Sequence, residues 1–218
     1  MDDTRERLLE TASRVFAEKG YDKATVREIC TAAKVSNLAA VNYYFGDKER
    51  LYIESVKRAH RLRIAEIPLP VWEPDTTPQE KLCGLILVIV RRFVTETSQP
   101  WHEQLMMREV MHPTAAVAEL VQEFFRPHLE ILLSVIDELI PRGTQDDRRQ
   151  MVAFSIIGQC LHYRVARPIM SLLLGGERFA KLTPERIAQH VADFSLAALR
   201  NWPASNTSAM PRAALAKE

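Results

Sequence analysis

Glycine and cysteine are scarce in this chain of 218 residues, with seven of the first and three of the second. Neither is grouped in a pattern that carries chemistry. There is no glycine-rich phosphate loop, no nucleophile elbow and no HExxH pair, so the familiar sequence marks of enzymes are missing. Cys30, Cys83 and Cys160 stand far apart, without metal-ligand spacing, and fit reduced, buried thiols. Cys160 and His162 do not make a nucleophile–base pair, because residues i and i+2 of a helix point apart. The histidines are equally dispersed, with His102 and His112 ten apart and His128, His162 and His190 on separate stretches. No metal site and no cofactor are expected. No run approaches the roughly 18–20 apolar residues of a membrane span, and the apolar residues 85–90 are closed by Arg91 and Arg92. The opening MDDTRERLLE is charged and amphipathic, unlike a signal peptide. A cytoplasmic location without membrane contact is the expectation. A charge of one sign is lacking too. Lysine and arginine number 29 against 28 acidic residues, and residues 1–66 hold 13 against 11. Bulk attraction to a polyanion is thereby excluded; any such affinity must come from local placement and from pairing two copies.

Strand signals are nearly absent as well, since no alternating run is flanked by hairpin turns. What recurs is helical spacing with start and stop signals. Residues 4–18 carry Leu8, Leu9, Ala12, Val15 and Phe16 on one face. Asp47 caps a helix to about Glu66, and Pro68, Pro70 and Pro74 mark the loop after it. Thr77 and Glu80 form a capping box around Pro78, opening a helix to about Thr97. Pro100 and Pro113 open further helices, and Pro127 must start a new helix or kink a long one over 114–140. A long apolar helix begins at Asp146 or Asp147, runs to about Arg167 and ends loosely over 168–176; another starts at Thr183. From Pro203 the composition turns to Ala, Ser, Pro, Thr and Asn, the expectation being a disordered tail over 203–218. The fold class is all-α, with about nine helices and no repeat.

Residues 25–51 are the most specific stretch. Thr25 and Glu28 form a capping box before the apolar stripe of Val26, Ile29 and Cys30. A second short helix can start near Ser36 or Asn37, burying Leu38 and Val41 and leaving Asn37, Ala39, Ala40, Asn42, Tyr43 and Tyr44 on other faces. Two helices so short cannot bury a core alone, and residues 4–18 supply the third. The result is a three-helix helix-turn-helix unit whose second short helix suits a DNA major groove.

Residues 4–56 resemble the DNA-binding domain of TetR-type transcriptional regulators. The resemblance is carried by Phe16 with Gly20 and Tyr21, by Thr25-Val-Arg-Glu-Ile, by Asn42-Tyr43-Tyr44-Phe45 and by Lys48-Glu49-Arg50-Leu51. The stretch from Val35 to Phe45 is one residue longer than the family's usual spacing, with Ser36 or Asn37 the extra residue. Further on, Pro100-Trp101, Met106-Met107-Arg108-Glu109, Arg126-Pro127-His128 and the run 158–164 resemble the CecR-like subgroup, associated with drug-efflux control. The resemblance implies an N-terminal DNA-binding domain over 1–46 and a helical effector-binding and dimerisation domain over 47–202. It implies phosphate contacts from Thr25, Arg27, Tyr43, Tyr44 and Lys48, and base reading by Asn37, Ala39, Ala40 and Asn42 with Ser36 beside them. Tyr43 and Tyr44 have the alternative of plain packing residues. A homodimer through helices near 146–167 and 184–200 would read a palindromic operator in double-stranded DNA. Ala153, Ser155 and Gly158 would allow close approach there, and Ile187, Val191, Phe194 and Leu199 would supply apolar area.

Residues 101–128 and 154–167 mix aromatic, Met and polar residues, which suits a pocket for a hydrophobic small-molecule effector. Trp101, Met106, Met107, Phe124, Gln159, His162 and Tyr163 are candidate lining residues, with Arg108 a possible anchor for an acidic group. The Met and Phe positions fit a core equally well. Gln159, His162 and Tyr163 share a helix face and could be a buried network, a dimer contact or a ligand grip; Arg108 and Glu109 could be a salt-bridged pair. The function expected is a ligand-responsive regulator, a repressor by family habit. A constitutive DNA-binding protein without effector and a helical enzyme are the alternatives.

Overall fold

The computed structural model describes residues 3–97 and 99–200, so the tail expected over 203–218 lies outside the described residues. Every regular element among them is helical. The helices are α1 (Asp3–Lys23), α2 (Val26–Ala32), α3 (Ala39–Phe45), α4 (Lys48–Glu66), α5 (Pro78–Val94), α6 (Pro100–Met111), α7 (Ala116–Leu120), α8 (Arg126–Asp137), α9 (Asp146–Val165), α10 (Arg167–Leu174), α11 (Gly176–Ala180) and α12 (Pro184–Arg200). A π-helical turn, Val121–Phe125, joins α7 to α8. Short helices form where a loose chain was expected over 168–176, and the π turn divides what reads as one period, so the count exceeds nine.

Capping residues place the helix starts. The Asp47 carboxylate accepts from Arg50 N at 2.7 Å, and Thr77 with Glu80 forms both halves of its box. At Thr25 only one half forms: its hydroxyl accepts from Glu28 N at 3.2 Å, while the Glu28 carboxylate pairs with Lys19. The π turn answers the difficulty at Pro127, which has no N–H to offer the carbonyl four residues back. Arg126 N donates to Val121 O, five residues back, and the chain stays helical through the proline.

Two compact units result. The first contains the chain as far as Leu69 together with Thr95–His128. Its core joins Leu8, Ala12 and Phe16 of α1 to Ile29, Val41, Leu51, Val56, Leu105 and Leu120. Tyr52 meets Phe16 edge-on at 5.0 Å and Tyr21 at 5.2 Å. Inside α1 the backbone breaks at Gly20, with φ of 81°. The positive φ demands glycine, and a Cβ there would also lie 2.9 Å from the Arg108 guanidinium and displace its tip. That guanidinium donates to the carbonyls of Ala17 and Glu18 at 3.4 Å, closing the end of the regular helix.

The second unit contains Pro70–Val94 and the chain from Leu129 onward. Here α5 packs between α9 and α12, burying Leu82, Ile86, Val90, Ile156 and Cys160. Cys30, Cys83 and Cys160 are free thiols, and burial pushes the Cys160 thiol up to about 12. Ala153, Ile187, Val191 and Leu199 belong to this core and are not available as dimer surface. Their apolar periodicity serves packing within the unit. Phe194, Ser155 and Gly158 do face outward.

Candidate nucleic-acid interface

The turn between α2 and α3 decides which side chains α3 presents. At the end of α2, Val35 N donates to Cys30 O at 2.9 Å and Lys34 N to Thr31 O at 3.1 Å. This paired closure needs a left-handed residue, and Lys34 occupies it with φ of 55°. A Lys side chain there costs about 1 kcal/mol relative to glycine's freedom. Lys34→Gly is therefore expected to raise unfolding stability by about 0.5–1 kcal/mol while lowering DNA affinity through the lost charge. Opposite signs in urea unfolding and in DNA titration are the check; a loss in both would mean the lysine stem packs something essential.

Asn37 ends the turn. Its side-chain oxygen accepts from Ala39 N at 2.9 Å, and Ala40 N donates to Asn37 O. Asn37 thereby caps α3, whose helical dihedrals begin at Leu38, close to the start expected near Ser36 or Asn37. Leu38, in the first turn, is 42% exposed, so it is not the core residue that its period suggested. Ala40 faces the core beside Val41 and Phe45 and is withdrawn from the base-reading set. One lone pair of the Asn37 oxygen is taken by Ala39 N, which fixes the orientation in which Asn37 can offer its remaining lone pair and its N–H groups to a base.

Ser36, Asn37, Ala39 and Asn42 are exposed, as are Thr25 and Arg27 on the α2 side. Tyr43 is 82% exposed and meets Tyr44 edge-on at 4.8 Å; Tyr44 is half-buried. Lys48 opens α4 with its ammonium 4.5 Å above the Tyr21 ring. Arg5, which sequence reading passed over, stacks its guanidinium 5.0 Å from the Phe45 ring at the end of α3. Only the fold brings residue 5 to residue 45, so no local signal could have found it.

Most of the charges in residues 1–66 are paired off. Of the 13 basic residues in 1–66, Arg7, Arg14, Lys19, Arg50, Lys57, Arg58, Arg61 and Arg63 stand in ion pairs. That leaves five: Arg5, Lys23, Arg27, Lys34 and Lys48, without an ion pair among the described residues. Four of these lie on the helices and turn that surround α3. Glu18, Asp22, Asp47 and Glu49 are likewise without an ion pair among the described residues. Burial first, then the nearby Glu49, Asp47 and Asp22, raises the Tyr21 phenol above its ordinary value. Glu54, Glu119 and Glu123 stand in a ladder that ties α4 to α7 and the π turn. Lys57 reaches Glu119 at 3.0 Å and Glu123 at 2.6 Å, Arg61 reaches Glu123 at 2.7 Å, and Arg50 pairs with Glu119. The Glu123 contact foremost, against burial, holds the Lys57 ammonium above its ordinary value.

The proposed lining residues are not drawn to one place. Phe124 is in the core of the first unit, with Trp101 and Met106 packed against it; Met107 is half-buried. Arg108 turns one guanidinium nitrogen to the α1 carbonyls at 3.4 Å, and its Nε is buried with no hydrogen-bond partner among the described residues. Nor does it pair with Glu109. That carboxylate is buried and accepts from the Tyr52 hydroxyl and from Thr114 N, each at 2.8 Å. Gln159, His162 and Tyr163 line, with Gly158 and His190, an open groove of about 360 Å³ in the second unit. His162 is exposed, so a buried network is ruled out for that cluster. Among the described residues no three His, Cys, Asp or Glu side chains are placed to hold a metal ion, and no helix is long and apolar enough to cross a membrane.

Residues 8–54 match the family of bacterial regulatory proteins described as tetR, and residues 78–199 match the C-terminal domain of the HTH-type transcriptional dual regulator CecR. The chain is 27% identical over 201 residues to CecR of Shigella flexneri, spanning 86% of this chain and 87% of that one. It is 27% identical over 207 residues to the transcriptional repressor NicS of Pseudomonas putida, spanning 91% and 93%. Its fold is similar to the crystal structure of a TetR-like transcriptional regulator from Rhodococcus sp. RHA1, with a TM-score of 0.62 at 18% identity, covering 92% of this chain and 98% of that one.

Proposed function

Because this chain belongs to the TetR family of bacterial regulatory proteins, with a C-terminal domain of the CecR type, we propose that it is a homodimeric repressor released from a palindromic operator by a small-molecule effector. It is a DNA-binding transcriptional regulator and not an enzyme. The observation that carries the operator reading is the outward face of α3, where exposed Ala39, Asn42 and Tyr43 stand among Arg5, Arg27, Lys34 and Lys48, which have no ion pair among the described residues. Thr25, Arg27, Tyr43, Tyr44 and Lys48 hold phosphates, and Asn42 with Ala39 reads bases. Repression rests on the named repressors among its relatives, NicS included.

In this reading residues 1–46 bind DNA, and 47–202 bind effector and dimerise. Two copies meet through α9 and α12, whose Phe154, Val165 and Phe194 are exposed apolar side chains in want of a partner. Two recognition helices about 34–36 Å apart then enter successive major grooves. The effector works through α6. Arg108 holds the end of α1 and Glu109 holds Tyr52 of α4, so a shift of α6 is felt by the helices that carry α3. A ten- to hundred-fold change in operator affinity requires about 1.4–2.8 kcal/mol of differential effector binding.

A titration against DNA from upstream of its own gene and its neighbours, at two salt concentrations and with a panel of hydrophobic compounds, tests the proposal. Saturable binding well above that to random DNA, weakened by one compound, is expected. Specific binding that no compound weakens would favour a constitutive regulator; no preference for any of these fragments would count against an operator near its gene.

A further inference from the structure

The helix α10 has eight residues and buries none of them. A segment that short is not stable in water by itself, so something must cover it. Its contacts are to α9 and α11; Arg167 stacks on Phe179 of α11, 5.4 Å from the ring. On the side left open, Ile169, Leu172 and Leu173 are 62%, 86% and 78% exposed. Residues at i, i+3 and i+4 share one helix face, so this is a coherent apolar surface.

That surface continues one already present on α9. Ser155, Gly158, His162, Val165, Ile169 and Leu172 follow one another by alternate steps of three and four, and all six are exposed. The backbone carries the stripe across the junction. Ala166 N donates to His162 O and Met170 N to Ala166 O, both at 2.8 Å, on either side of Pro168. Alternation of three and four is the spacing by which one helix packs along another. The small residues Ser155 and Gly158 sit at one end, and a Cβ on Gly158 would meet nothing within 4 Å. The large apolar residues sit at the other.

We propose that α10 is part of the interface between two copies of this chain, extending the α9 seam from Ser155 to Leu172 and anchoring it with Ile169, Leu172 and Leu173. This rests on the dimer reading above and adds to it an element that α9 and α12 do not include. The area suits that partner. The three side chains expose roughly 400 Å² per chain, about half of the 800 Å² that each partner contributes to a standard interface. Continuity with the α9 stripe selects a second copy over an unrelated protein, because a self-facing seam needs the same spacing on both sides.

The test compares the full chain carrying both Leu172→Asp and Leu173→Asp with the full chain carrying Phe194→Asp, by sedimentation across a concentration series. The double variant should weaken dimerisation about 100-fold or more while keeping the helical signal and melting of a folded monomer, because neither leucine is buried. Leu172→Gln with Leu173→Gln should weaken it less. Unchanged dimer affinity in both α10 variants, with Phe194→Asp dissociating, would overturn the role of α10 and leave the α9–α12 dimer standing. A wild-type monomer at every concentration would remove the dimer reading and this inference together. Co-sedimentation with phosphatidylglycerol vesicles that the double variant abolishes, at unchanged dimer affinity, would assign the face to a membrane and overturn the proposal.

Discussion

Glu109→Ala is expected to cost about 3–4 kcal/mol of stability, the largest loss of any single polar substitution in the first unit. The carboxylate is 1% exposed and accepts from the Tyr52 hydroxyl, from Thr114 N and from the Thr114 hydroxyl. Hydrogen bonds to a charged group are worth about 1.5–3 kcal/mol, and truncation strands the buried Tyr52 hydroxyl together with the half-buried Thr114 donors. Burial first, then the Glu109 contact, pushes the Tyr52 phenol well above its ordinary value, so it stays protonated and donating throughout the neutral range. Tyr52→Phe should cost only about 1–2 kcal/mol, since Thr114 still satisfies the carboxylate. Urea unfolding at unchanged m-value is the measurement. A loss below about 0.5 kcal/mol for Glu109→Ala would show that water enters and replaces the network. DNA affinity of the folded variant is a second readout, because the same contact ties α6 to α4.

Glu109 also shows where sequence reading stopped. Its neighbour in sequence, Arg108, offers an obvious salt bridge, and the two residues instead reach opposite ways, to α1 and to α4. Local spacing has no access to partners 57 or 91 positions away. What it could read were the elements written in local chemistry. The caps at Asp47, Thr77 and Thr183, the prolines at 78, 100 and 184 and the apolar stripe of α1 fixed the helix starts. The start of α3 was legible for an equally local reason: Ser36 and Asn37 both look like helix caps, and the Asn37 side chain does bond to Ala39 N. Which face the helix buries was not, since Leu38 is exposed and Ala40 buried, reversing both expectations. The Met and aromatic positions on α6 and in the π turn were ambiguous because a core and a ligand pocket use the same residue types; Phe124 and Met106 proved to pack.

A contrast between positioning and reading residues gives the sharpest expected result on DNA. Lys48→Ala and Tyr43→Ala should each weaken operator and random DNA alike, by roughly 10-fold, because phosphate contacts carry no sequence information. Lys48→Ala should also reduce the slope of log affinity against log salt by about 0.9, the counterion share of one phosphate. Tyr43→Ala removes no charge and should leave that slope unchanged. Tyr44 packs partly against the core, so Tyr44→Ala mixes a folding cost with a contact cost and is the poorer probe. Asn42→Ala should instead narrow the gap between operator and random DNA by about 1–3 kcal/mol at one base position, with the salt slope intact. Asn37→Ala is expected to do less for selectivity and more to α3 itself, since its oxygen already serves Ala39 N. If Asn42→Ala also weakens all sequences equally, Asn42 does not read bases. If Lys48→Ala alone behaves as described, the phosphate clamp holds and the reading residue must be sought at Ser36 or Ala39.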